Sequence, residues 1–455
     1  MSSVTLFGGV SEIGGNKILL EDNGTKIFLD FGQSFSHLDD YFAEYLQPRT
    51  RFGLRDQFAL GLMPRTKGLY NSWAIEKTDI SYSEPEYHAV FITHPHYDHL
   101  AHIRYLDQKI PIHMGETAKT ILRSVNETGK ANIFHEKESK TYDGTVIPAN
   151  DVRTFRTGDK VKVDDIEVMP VHVDHSVPGA YGFIVHTTGG TVCYTGDIRK
   201  HGNRPQMTQD FIEKAKENSP DVLIIEGTRV APTETRKNYS ESSVYEKSSE
   251  IVQKDEIVLA MRYPKDLDRF RTFYNVARES GKYLVISLKT AHMLQSLKED
   301  GIGLPVPFED ETIRVYKREM KIYKDWERVW LEKCVDHKWI AENQKKVIWE
   351  LDFFQLTELI DVKPGAGSCI HSMSEPFEED PMSQLQDNVM KNWLERFSLE
   401  HHQLHASGHA SMDEIFEMID EINPKKVIPI HSQYPELFKG ENIVIAEKGK
   451  KIEIN

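Results

Sequence analysis

Six consecutive residues, His94-Pro95-His96-Tyr97-Asp98-His99, carry three imidazoles and a carboxylate. Neutral imidazole and carboxylate are the donors that a zinc-like divalent ion takes. Residues two apart on an extended turn point the same way, so His94 and His96 can share one ion. Asp98 and His99, displaced along the turn, can reach a second. Further donors stand at the ends of strand-like runs: His175 after His172-Val173-Asp174, and Asp197 after Tyr194-Thr195-Gly196. A carboxylate at Asp197 can bridge two cations, one on each oxygen. Taken alone, His175 reads as an ordinary turn histidine and Asp197 as an Asx-turn residue, so the six-residue motif carries their candidacy. Near the C-terminus stand His405-Ala406-Ser407-Gly408-His409 and, after the run Val427-Ile428-Pro429-Ile430, His431. Ser411-Met412-Asp413-Glu414 is a capping box opening a helix that stops at Asn423-Pro424. His409 therefore precedes a helix N-terminus, where anions bind. His405 fits a packed strand position as well as a substrate contact.

The elements that must position these groups are legible in outline. Val4–Phe7, Ile18–Glu21 and Lys26–Phe31, separated by Gly-rich turns, read as a β-meander. Ala89–Thr93 is a buried strand delivering the histidine motif. Beyond it, Thr117–Glu127 suits a helix, and Ile166–Val173, Tyr181–Thr187, Thr191–Thr195 and Val222–Ile225 suit strands. A polar, Ser/Thr/Glu-rich stretch at 231–249 then marks a change of pattern. After it come a strand at Ile257–Met261, a helix at Leu267–Arg278 closed by Gly281, and strands at Tyr283–Ser287 and Val347–Trp349. Val315, Ile322, Trp326, Val329 and Trp330 fall at helical spacing and read as a helix core stripe. The irregular segment 36–87 reads as a lid or small helical excursion. Its aromatics Phe52, Phe58, Tyr70 and Trp73 suit lid packing, with base stacking as the alternative.

At 455 residues the chain exceeds one ordinary core, and 39% hydrophobic with 28% charged residues describes a globular protein. The net charge of −15 disfavours a polyanionic partner, but bound cations and the local cluster Arg49, Arg51, Arg55, Arg65 and Lys67 offset it. Three widely spaced cysteines argue against a disulfide framework and for a reducing cytoplasm. The N-terminal residues lack the features of a secretory leader, and no window has the length of a membrane span.

The order Asp30, His94-x-His96-x-Asp98-His99, His175, Asp197 resembles the successive motifs of the metallo-β-lactamase fold. Glu226 after a strand, His409 in His-x-Ser-Gly-His and His431 resemble the additions of its β-CASP branch. Gly14-Gly15-Asn16 and Ser372-Met373-Ser374-Glu375-Pro376 are similar to segments of ribonuclease J and its archaeal and bacterial relatives. The resemblance implies an α/β fold, an αββα metallo-β-lactamase sandwich carrying an inserted α/β β-CASP domain. Its expected parts are 1–229, the insertion at 230–371, and 372–455. It implies that His94, His96 and His175 hold one divalent ion and Asp98, His99 and His431 another, with Asp197 bridging. Zinc and manganese suit this donor set alike. Asp30 would orient the ligand loop, and Glu226 and His409 would lie beside the scissile phosphate. Ser407, Gly408, Ser372, Ser374 and His405 would contact substrate.

The activity implied is metal-dependent hydrolysis of RNA phosphodiester bonds, a 5′→3′ exoribonuclease with some endonuclease capacity. A DNA 5′-exonuclease and a small-molecule hydrolase of the same fold are the alternatives; the insertion and the His-x-Ser-Gly-His segment weigh against the latter. The metal pair would acidify a shared water and neutralise charge on the phosphoryl oxygens. His409 would either protonate the leaving oxygen or bind phosphate. The expected partner is single-stranded RNA, with DNA as the alternative and no membrane. About two dozen residues follow His431, without the dimer-forming C-terminal domain of ribonuclease J, and 36–87 is longer than its counterpart. Oligomeric state, homodimer included, is therefore open.

Overall fold

The computed structural model describes residues 2–454 apart from 44, 130–132, 141–145, 234–237, 255 and 377–380; the last part of the polar stretch's start, 234–237, thus lies outside the described residues. Two sheets pack face to face. The first has the order Lys451–Glu453, Ser2–Gly8, Lys17–Asp22, Thr25–Phe31, Ala89–Ile92, Ile112–Gly115, Val152–Phe155. The second runs Lys426–Ile430, Val222–Glu226, Gly190–Tyr194, Tyr181–Thr187, Ile166–His172, Val161–Val163. Alternating apolar residues of the inner faces, among them Val4, Leu6, Phe91, Phe183, Val192, Ile224 and Ile428, form one core between the sheets. The outer face of the first sheet is covered by Leu54, Phe58, Tyr70, Ile103 and neighbours. Helices Pro205–Glu217 and Met412–Ile422 cover the outer face of the second. This is the αββα layering expected.

Strand direction places the site. Gly190–Tyr194, Val222–Glu226 and Lys426–Ile430 run parallel, so their C-terminal ends lie together at one edge. Ile166–His172 points the same way, because it is separated from Gly190–Tyr194 by one strand antiparallel to both. His175, Asp197, Glu226 and His431 follow or close these four ends. The helix Met412–Ile422 carries the expected capping box, Ser411 accepting from the Glu414 amide and the Glu414 carboxylate from the Ser411 amide. It stops at Asn423 in the left-handed conformation.

A third, all-parallel sheet has the order Ile313–Tyr316, Tyr283–Ser287, Val347–Glu350, Ile257–Met261, Gly367–His371, Leu399–Gln403. Helices Glu241–Val252, Leu267–Ser280 and Leu288–Ser296 cover one face. Leu356, Leu359, Met390 and Leu394 cover the other. Both faces are buried, which is why the inner strands Ile257–Met261, Tyr283–Ser287 and Val347–Glu350 read as largely apolar runs. The sheet continues past residue 371, since Leu399–Gln403 pairs with Gly367–His371 along its whole length.

One expectation needs correction. The helical stripe over 315–330 does not form: Val315 lies in a strand, and Ile322 and Val329 are 75% and 69% exposed. The spacing there spans a strand, a loop and a single turn of helix, and so records no common face. In the segment 36–87, Phe58 and Tyr70 are buried and Trp73 packs beside them, so the packing reading holds for these three. Phe52 differs: Arg49, Arg51 and Arg55 surround its ring at 4.5, 4.9 and 5.6 Å. Among the described residues no helix is long and apolar enough to cross a membrane.

The second sheet and the third-sheet unit meet at a buried ionic network. Arg199, fully buried after the Asp197 turn, reaches Asp268 at 2.8 Å and Glu241 at 3.3 Å in the third-sheet unit. Glu241 in turn takes Arg269 at 3.0 Å. Removing one partner of such a network leaves a charge buried without compensation, at a cost of about 3–5 kcal/mol. Glu241→Gln is expected to lower the urea midpoint accordingly. Asp151→Asn, which breaks the exposed pair with Arg153, should stay within about 1 kcal/mol. Equal midpoints for the two variants would refute this account of the junction.

Candidate metal centre

Hydrogen bonds behind the imidazoles set which nitrogen each one presents. His99 Nδ1 lies 2.7 Å from Asp30, which is fully buried at φ +58°. Asp30 also accepts from the Thr93 amide at 2.8 Å and the Tyr194 hydroxyl at 2.8 Å. An acceptor-only carboxylate demands the proton on Nδ1, so His99 presents Nε2 as a lone pair. By the same logic His175 donates Nδ1–H to the Gly408 carbonyl at 2.6 Å and presents Nε2. His431 sets Nδ1 at 2.9 Å from the Thr228 hydroxyl, which itself donates to Glu226 at 2.6 Å. Its Nε2 therefore faces Asp98, at 3.0 Å. Gly14, at φ +81°, lies where a Cβ would come within 2.7 Å of the Asp98 Cβ, and Gly15, at φ +74°, where one would meet Ser34 at 2.8 Å, which accounts for the pair.

Two donor clusters result. His94 Nε2, His96 Nδ1 and His175 Nε2 converge, with His94–His96 at 3.0 Å and His96–His175 at 3.2 Å. Asp197 Oδ2 completes them at 3.4 Å from His94 and 3.8 Å from His175. On the other side, Asp197 Oδ1 lies 3.2 Å from His99 Nε2 and 3.8 Å from His431 Nε2. Asp98 Oδ2 stands 3.7 Å from His99 Nε2. A tetrahedral zinc site with bonds of about 2.0–2.1 Å has ligand–ligand edges of about 3.3 Å. The observed edges of both clusters bracket that value.

The buried polar atoms test the fit independently. His99 Nε2 and Asp197 Oδ1 are buried with no hydrogen-bond partner. Orphaned atoms of this kind are costly unless something binds them. Protonation states agree. Burial and neighbouring imidazoles push His94 and His96 well below the usual histidine range. Burial also opposes a charged His99, yet Asp197, Asp30 and Asp98 outweigh it and hold it well above that range. Despite burial, the imidazoles around Asp197 keep its carboxyl well below the usual range. Neutral imidazoles at His94 and His96, beside ionised carboxylates that call for positive charge around His99, are the condition a divalent ion meets. These residues can hold divalent metal.

Beside the clusters lies a third group. Glu226, buried, sits 3.0 Å from His409 Nδ1 and also accepts from the Ile198 amide at 2.9 Å. Burial works against a charged His409, but Glu226 and Asp197 raise it to about 9. With Nδ1–H directed to Glu226, His409 has Nε2 for another molecule, and its side chain is 22% exposed.

The remaining candidates divide. Ser407 Oγ accepts from the His409 amide at 3.1 Å, and its carbonyl accepts from Arg199. Gly408 buttresses His175 through its carbonyl; a Cβ there would meet the ring at 2.8 Å. Ser374 Oγ and His405 Nε2 lie 3.3 Å apart, both half-buried. Ser372 requires correction: it is fully buried and its hydroxyl binds Arg269 and the Leu404 carbonyl, which leaves it no atom for substrate. Sequence reasoning did not single out Thr93, Tyr194, Thr228 or Arg199. Thr228 follows Glu226 by two residues, the one hint available; the others become visible only where strands meet.

A Beta-lactamase superfamily domain matches residues 73–254, and a Zn-dependent metallo-hydrolase RNA specificity domain matches residues 396–453. Ribonuclease J 2 of Streptococcus pyogenes is 21% identical, covering 94% of this chain and 69% of its own length. Ribonuclease J of Mycoplasma genitalium is 23% identical, with 97% and 70% covered. Ribonuclease J of Pyrococcus abyssi is 21% identical, with 100% and 97% covered. A crystal structure of a protein of unknown function from Enterococcus faecalis V583 superposes with a TM-score of 0.77 at 23% identity, over 99% of this chain and 100% of that one, and so shares the fold. Both domain matches fall on the residues that build the donor clusters, and the relatives align along nearly the whole chain, so the chain is similar to the metallo-β-lactamase β-CASP proteins and is ribonuclease J-like.

Proposed function

We propose that this chain is a metal-dependent nuclease that hydrolyses RNA phosphodiester bonds, degrading single strands 5′→3′. The observation that carries this reading is Asp197 shared between two histidine clusters, with the Glu226–His409 pair beside it. The RNA specificity match spans both His405–His409 and His431, and the relatives named above are ribonucleases. We assign His94, His96 and His175 to one ion and Asp98, His99 and His431 to the other, with zinc or manganese as the metal. We further divide the chain into a sandwich and an inserted unit that extends from about residue 230 to Gln403, the last strand of the third sheet. Its three cysteines are unpaired, as suits a reducing cytoplasm.

When bound, two divalent ions supply an activated water and neutralise charge on the phosphoryl group. The chain's own residues do the rest. Asp30 and the Gly408 carbonyl hold His99 and His175 in the tautomers that offer Nε2. Thr228 ties His431 to Glu226, so one hydroxyl fixes a ligand and the acid–base pair together. Glu226 holds the proton on His409 Nδ1 and favours the charged imidazole, whose Nε2–H is the proton that the leaving oxygen takes.

Purified protein with Zn²⁺ or Mn²⁺, given RNA bearing 5′-monophosphate, 5′-triphosphate or 5′-hydroxyl ends and the matching DNAs, is expected to release mononucleotides from 5′-phosphorylated RNA. Turnover of a generic ester with no cleavage of any polynucleotide would contradict the reading. His409→Ala is expected to keep its metal content, measured by elemental analysis, while turnover falls by about 10²–10⁴-fold. Loss of metal in that variant would make His409 a ligand instead. Chelation followed by dialysis should abolish activity, and readdition of the metal should restore it.

A further inference from the structure

We infer that Tyr263 and Lys265, on the loop after strand Ile257–Met261, form with Tyr97 a single-strand binding wall at the mouth of the metal centre. In it Lys265 contacts a phosphate and the tyrosines stack bases. The inference rests on the RNA reading above and names the surface that would hold the strand.

The loop belongs to the third-sheet unit, yet its side chains meet the metal motif of the sandwich. Lys265 Nζ donates to the Pro95 carbonyl at 2.7 Å and lies 4.0 Å from the centre of the Tyr97 ring. Pro95 and Tyr97 alternate along the chain with His94, His96 and Asp98, so this ammonium stands beside both donor clusters. Among the described residues it has no carboxylate within ion-pair distance, and two of its three protons remain for another acceptor. In a chain of net charge −15, a cation that no carboxylate ion-pairs, with Asp98 the acid acting on it at longer range, marks, beside a site for phosphodiesters, where an anionic strand is met.

Tyr97 and Tyr263 are each 41% exposed, so both rings have surface open to a ligand. Tyr263 also stands edge-on to His405, ring centres 6.3 Å apart, which carries the wall towards the His409 segment. The loop is held rather than loose. Arg262, itself buried, donates to the carbonyls of Tyr263, Pro264 and Asp266 at 3.0, 3.1 and 3.2 Å. Asp266 then caps the helix Leu267–Ser280 through the Arg269 amide. A buried guanidinium that fixes a loop carrying an exposed tyrosine and an unpaired lysine preorganises a contact surface, and lowers the ordering cost of binding. Aromatic faces accept any base, and a cation on the same edge tracks the backbone, the combination that single strands use.

The test is binding of a short, 5′-phosphorylated, hydrolysis-resistant phosphorothioate oligoribonucleotide to the metal-loaded protein, by fluorescence anisotropy across a salt series. Each lost phosphate contact lowers the log–log salt slope by about 0.7 for a single strand. Lys265→Met is therefore expected to weaken binding and lower the slope by about 0.7, and Lys265→Arg to restore the slope. Tyr263→Ala is expected to weaken binding about tenfold with the slope unchanged. The metal content of Tyr263→Ala should stay at the wild-type value. If metal content falls together with RNA binding, the loop is only a structural tether and the inference is overturned. Unchanged RNA binding in both variants overturns it equally, while RNA cleavage by the wild-type protein keeps the functional reading intact. A wild-type holoprotein that binds no oligoribonucleotide would remove that reading, and this inference with it.

Discussion

Asp197 places two buried carboxylate oxygens between imidazoles brought in by separate strand ends, and the architecture of the sandwich follows from the need to hold them there. Ionised carboxylate in a water-excluded site is unfavourable unless opposing charge surrounds it. Here Oδ2 faces His94 and His175, and Oδ1 faces His99 and His431. The parallel register of the central strands of the second sheet sets these groups within reach of one another. A shift of one residue in any of these strands would turn the terminal donor to the opposite face.

The imidazoles depend on partners that are themselves buried. Asp30 serves His99, the Gly408 carbonyl serves His175, and Thr228 serves His431 and Glu226 together. Arg199 extends this order outwards. It donates to the carbonyls of His175 and Ser407 and to the carboxylates of Asp174, Glu241 and Asp268. One guanidinium thus connects a donor histidine, the His405–His409 segment and the third-sheet unit. Charge that would be expensive in isolation ties the third-sheet unit to the metal centre.

What could be read from residue order was set by local spacing. The six-residue motif, the parallel strands at 222–225, 257–261 and 283–287, and the capping box at Ser411 each declare themselves within a few positions. The errors arose where exposure or pairing depends on distant chain. Phe58 and Tyr70 are covered by Ile103 and its neighbours, as lid packing requires, whereas Tyr263, flanked by Arg262 and Pro264 and not singled out in the sequence, is a ring left open. Ser372 sits in a segment similar to a substrate-binding one, yet Arg269, more than a hundred residues earlier, occupies its hydroxyl. Thr228 and Tyr194 carry no local signature, because their roles exist only once the strand ends of both sheets come together. The stripe at 315–330 had helical spacing by coincidence across a strand and a turn.

The most direct test of the central claim is anomalous diffraction from crystals of the metal-loaded protein, recorded at the zinc or manganese edge. The account predicts two peaks, one among His94, His96 and His175 and one among Asp98, His99 and His431, with Asp197 between them. A single peak, or two peaks of which neither is bonded to Asp197, would contradict it.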